Sequence, residues 1–150
     1  MKNHIAFVFY DDGEGDSALV VSFHAKNFSG RGVAYFDAEN IYLMLDSFSV
    51  YPILSEKPPK IEWGTIDLSN PKGGLKEEHL HFSVWPLDTK GHLVASIRAA
   101  VPYVNIAGRF QYHASVDIST TYAAMTQFVE DMKSMLRGEL SEVVLEEVIG

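Results

Sequence analysis

An α+β fold is predicted by three features of the sequence. Three stretches in the second half, Glu78 to Trp85, His92 to Val101 and Arg109 to Ile118, alternate apolar and polar residues with a period of two. Successive strand side chains point to opposite faces, so each stretch reads as a half-buried strand of an antiparallel sheet. Helical spacing of apolar residues is strongest in two places, one from about Asp37 and one from about Thr120. The elements are also segregated, strands then helix then strands then helix, rather than interleaved as in a parallel α/β fold. The expected architecture is a single α+β domain over residues 1–150: a twisted, mostly antiparallel sheet of about six or seven strands with two helices packed on one face.

The elements follow in order. Ile5 to Tyr10 and Ser17 to Lys26 read as two strands. The turn between them, Asp11-Asp12-Gly13-Glu14-Gly15-Asp16, suits a hairpin because glycine supplies positive φ and aspartate tolerates it. Phe28-Ser29-Gly30-Arg31-Gly32 reads as a loop, and Val33 to Phe36 as a short third strand. Asp37 is placed as an N-cap, followed at helical spacing by Ile41, Met44, Leu45 and Phe48, with Pro52 closing the segment. Ile61 to Leu68 is a weaker strand interrupted by Gly64, and Asn70-Pro71-Lys72-Gly73-Gly74 is a turn.

On the three alternating strands, Leu80, Phe82 and Val84, then Leu93, Ala95, Ile97, Ala99 and Val101, then Phe110, Tyr112, Ala114, Val116 and Ile118 are the core-facing positions. Ser119, Thr120 or Thr121 caps the second helix. Its stripe runs through Tyr122, Met125, Phe128, Val129, Met132, Met135 and Leu136, and Gly138 ends it. Val143 to Ile149 fits either a helix or an edge strand.

Composition narrows the function. Hydrophobic residues make up 47% and charged residues 21%, a globular balance. Cysteine is absent, which excludes disulfides, thiolate chemistry and cysteine-ligated zinc. Twenty acids against twelve bases give a net charge of −8, which disfavours nucleic acid and anionic membranes as partners. The N-terminus does not read as a signal peptide and no apolar run reaches the length of a membrane span, so a cytoplasmic location is expected.

Two regions are candidate binding surfaces. Opposite the core-facing positions stand His79, His81 and Trp85, then Arg98, then Arg109, Gln111 and His113, a locally basic face within an acidic protein. Such a face suits solvent, a partner or homodimer contact, or a metal or catalytic site. His79 and His81 share a side of their strand, but no third ligand is placed by sequence, and no metal or cofactor is expected. The second region is the acidic loop with Asp11, Asp12, Glu14 and Asp16. It fails the EF-hand pattern because the twelfth position from Asp11 is Ser22 rather than glutamate. Ser29-Gly30-Arg31-Gly32 lacks the ending of a phosphate loop, and no nucleophile elbow is present.

Several segments taken together resemble WapI-like bacterial immunity proteins. They are Phe28-Ser29-Gly30-Arg31-Gly32 with Ala34-Tyr35-Phe36-Asp37, Tyr51-Pro52-Ile53-Leu54, the Glu78-His79-Leu80 strand with the Gly91 turn, and Thr120-Thr121-Tyr122 through Phe128 into Arg137-Gly138-Glu139. The resemblance lies in turn and core residues and carries over no catalytic residue. It implies a cytoplasmic α+β protein that binds another protein, in the immunity reading a toxin domain. The expectation is a non-enzymatic protein-binding domain. The alternatives are a small-molecule- or metal-binding domain using the His/Arg face, and a structural homodimer.

Overall fold

The computed structural model describes residues 2–66, 69, 71, 74–101 and 112–148, with the side chains of 65, 66, 76 and 77 outside that description. The chain is α+β, but its strands form two four-stranded antiparallel sheets rather than one sheet of six or seven. The first sheet has the order β3-β2-β1-β8, built from β1 (His4–Asp11), β2 (Ser17–Ala25), β3 (Phe28–Ala34) and β8 (Val143–Glu146). The second has the order β4-β5-β6-β7, from β4 (Lys60–Ile66), β5 (Leu75–Pro86), β6 (His92–Ala100) and β7 (His113–Thr121). Between them in sequence come α1 (Ala38–Leu45), a 3-10 turn at Asp46–Ser49, and α2 (Tyr122–Leu136).

One hydrophobic core joins both sheets and both helices. Ile5, Phe7, Leu19, Val21, Phe23, Val143 and Leu145 line the inner face of the first sheet. Ile61, Leu80, Phe82, Leu93, Ile97 and Ile118 line that of the second. β3 lies against β5, β6 and β7, so the sheets are in direct contact there. Farther on α2 fills the space between them, touching β1 and β8 on one side and β7 on the other. Phe128 of α2 stands 5.0 Å from Phe7 of the first sheet and 5.5 Å from Phe82 of the second, and Phe48 of the 3-10 turn closes the cluster. The helices therefore do not cover one face of a single sheet; α2 is the wedge between two.

The direct contact explains a misread segment. Residues 28–32, expected to be a loop, form most of β3. A Cβ on Gly32 would lie 2.8 Å from the Ala99 Cβ, and one on Gly30 would lie 2.4 Å from the Phe23 ring. These glycines permit close approach of a strand to its neighbours rather than a turn.

Local signals set the helix ends. Asp37 accepts from the Asn40 N–H at 2.8 Å, and of the three capping candidates Thr121 is the cap of α2, accepting from the Ala124 N–H. Gly138, at φ +81°, ends α2 in a Schellman arrangement, with Gly138 N donating to Met135 O and Glu139 N to Ser134 O. The last segment is an edge strand: β8 pairs antiparallel with β1, placing Ile5 opposite Leu145.

Alternation holds along β5, β6 and β7 as far as Ala99 and Ala114. Val101 and Tyr112, expected in the core, are exposed at the end of the β6–β7 pair. Phe110 and the Asn70 to Gly73 part of the turn fall outside the described residues, Pro71 apart. No helix of the described residues is long and apolar enough to cross a membrane.

Candidate functional site

The outer face of the second sheet carries the histidine and arginine candidates. Glu62, His81, Arg98 and Ser115 stand side by side across β4, β5, β6 and β7. The next row along is Lys60, Ser83, Ser96 and Asp117, with Ser96 Oγ donating to Asp117 Oδ1 at 2.6 Å. Glu62, Glu78 and Asp117 share this face with the bases. It is therefore mixed in charge, not locally basic as the histidine and arginine pattern suggested.

A β-bulge builds the densest part of this face. Trp63 faces Leu80, but the next residue, Gly64, faces Glu78, so His79 is an extra residue on β5 at this point. The extra residue reverses the alternation of β5 and brings Glu78 to the side of His81. Glu78 Oε2 then lies 3.1 Å and Glu62 Oε2 3.5 Å from His81 Nδ1. Lys60 Nζ meets Glu62 Oε1 at 2.9 Å, and Arg98 Nε approaches Glu78 Oε1 at 3.8 Å. His79 does not join His81. It is buried, with its ring 5.5 Å from Trp63, which packs against the core.

The remaining candidates are spread out. Trp85 is four residues beyond His81, about 13 Å along the strand at roughly 3.3 Å per residue. His113 is exposed at the opposite end, paired with Ala100. Arg109 and Gln111 lie outside the described residues. A groove of about 870 Å³ adjoins His81 and Lys60, walled by Met44, Val50, Leu54 and Pro58.

The acidic loop forms part of a second concave surface. Asp12 Oδ1 accepts from the backbone N–H groups of Glu14 and Asp16, and Asp11 Oδ1 from that of Gly13, so the loop is shaped by its own carboxylates. Asp12 and Asp16 line a groove of about 730 Å³ together with Tyr10, Tyr35 and Asp37. Asp11 and Glu14 are exposed but are not part of its lining. Tyr35 is braced edge-on against Trp63, with centroids 5.4 Å apart. All the ionisable side chains in the lining are acids or tyrosines.

Glu62, Glu78, Lys60, Tyr10, Tyr35 and Asp37 belong to these two regions and were not among the candidates read from the sequence. The signal for Glu78 was Gly64 within a strand pattern, since an isolated strand glycine often marks a bulge. No family model, curated protein or solved structure matches this chain.

Proposed function

We propose that this chain is a non-enzymatic protein-binding domain that takes basic side chains of another protein into the groove between Asp12, Asp16 and Asp37. The observation that carries this reading is the combination of the carboxylates of a loop already held in shape with the exposed rings of Tyr10 and Tyr35 beside it. A guest lysine or arginine would meet charge from the aspartates and a ring face from Tyr10 or Tyr35. Asp12 and Asp37 each use one oxygen to hold local backbone, which leaves the second oxygen of each for a guest. The net charge of −8 supports rapid association with a basic partner through steering. An inhibitor of a basic toxin domain, the immunity reading, has these properties.

The test is anisotropy titration of a fluorescent hexa-arginine peptide, with a hexa-glutamate peptide as control. Arginine peptide should bind, more weakly at high salt, and Asp16→Asn and Tyr35→Ala should each weaken it. Equal binding by these variants and the wild type would remove the groove from consideration.

A further inference from the structure

We infer that Glu62, Glu78 and His81 form a binding site for a divalent transition metal, a site separate from the acidic groove. One donor atom from each residue lies within 4.8 Å of the others. Two donors that share an ion at bonds of about 2.1 Å stand about 3.0 Å apart in an octahedral and about 3.4 Å apart in a tetrahedral arrangement. The two separations from His81 Nδ1 to the carboxylates, 3.1 and 3.5 Å, lie close to this range.

The alternative is an ion-pair network in which a protonated His81 bridges the two glutamates. Alignment argues against it. His81 Nδ1 has no accessible surface and makes no hydrogen bond, although two carboxylate oxygens lie within 3.5 Å. A ring N–H held by carboxylates would point along one of these lines, whereas donors to a common ion need not point at one another.

The surrounding cations complete the pattern. Lys60 and Arg98 each approach the Oε1 of one carboxylate, and the Oε2 atoms of both face His81. Outer groups that hold ligands in this manner orient them and tune the site. Lys60 and Arg98 also offset the charge of the two glutamates, so moderate affinity is expected. One imidazole nitrogen with two carboxylate oxygens and no sulfur suits zinc, manganese, cobalt or nickel; calcium and magnesium prefer all-oxygen shells.

The experiment is calorimetric titration of chelator-treated protein with zinc chloride, with calcium chloride as control, alongside thermal melts with and without zinc. One equivalent of zinc should bind and raise the melting temperature, and calcium should do neither. Glu62→Gln and His81→Ala should each weaken zinc binding about 10-fold or more. His24→Ala should leave it unchanged, although His24 stacks on His4 with centroids 6.2 Å apart. Metal-free melts show whether each variant folds; if His81→Ala does not, Glu62→Gln on the edge strand decides. Absence of zinc binding, binding that survives Glu62→Gln, or binding lost in His24→Ala would overturn the assignment.

Discussion

Glu78 and His81 share one face of β5 although they are three positions apart, a spacing that an uninterrupted strand places on opposite faces. His79, the extra residue of the bulge, makes the difference. Deleting His79 leaves Leu80 next to Glu78, and plain alternation then keeps Glu78 on the side of His81. The deletion should therefore preserve zinc binding within a few-fold while removing the contact of His79 with Trp63. A tryptophan emission change with zinc affinity retained is the expected result. Loss of zinc binding in a folded deletion variant would show that the bulge, not merely the facing, sets the site.

The contact between β3 and the second sheet predicts the cost of a single methyl group. Gly32→Ala places a Cβ 2.8 Å from that of Ala99 and 3.0 Å from Leu80 Cδ1, both in the core. Destabilisation of about 1–3 kcal/mol is expected from overpacking of this kind. Urea denaturation of the two proteins measures it, and a neutral or stabilising result would mean that the sheets are not in close contact at this point.

Phe128 holds the other end of the same space. It is buried against Phe7, Phe48 and Phe82, which come from both sheets and the 3-10 turn. Phe128→Ala should cost about 3–5 kcal/mol, because the surrounding rings belong to separate elements that cannot all close the void. A cost below about 1 kcal/mol would contradict the wedge role of α2.

In the acidic loop, charge and shape can be separated. Asp12→Asn keeps an acceptor for the N–H groups of Glu14 and Asp16 but removes the charge, whereas Asp12→Ala removes both. Both variants should weaken hexa-arginine binding, and only the alanine variant should speed hydrogen exchange at the Glu14 and Asp16 amides. Full binding by Asp12→Asn would argue that the groove acts by shape rather than charge.

Asp88 carries a prediction about stability in acid. Its carboxylate is held below the ordinary value of 3.8, chiefly by the His92 ring at 2.6 Å and then by the Lys90 N–H. A depressed folded-state pKa gives stability that is present above the unfolded value and is lost as pH falls through the folded one. The advantage of the wild type over Asp88→Asn in denaturation should therefore shrink below pH 3.8 and vanish at lower pH. An advantage that persisted at the acid end would assign it to packing instead.

Sequence alone determined what depends on neighbours along the chain. The cap Asp37, a cap within Ser119 to Thr121, the stop at Gly138, and the inward facing of Leu80, Phe82, Leu93 and Ile97 all follow from local hydrogen bonding and a period of two or 3.6. The α+β class followed from the order of these elements. Tertiary structure decided what depends on distant partners. Two sheets and one sheet give the same alternation, since each strand reports only that one of its faces is covered. Gly30 and Gly32 read as turn residues because the reason for their small size, the approach to Phe23 and Ala99, lies outside their own segment. Glu62 and Glu78 reached His81 through strand register and a bulge, and register is set by pairing across the sheet, which no single strand records. The acidic groove formed for the same reason, when the fold placed Tyr35 and Asp37 beside a loop from an earlier part of the chain.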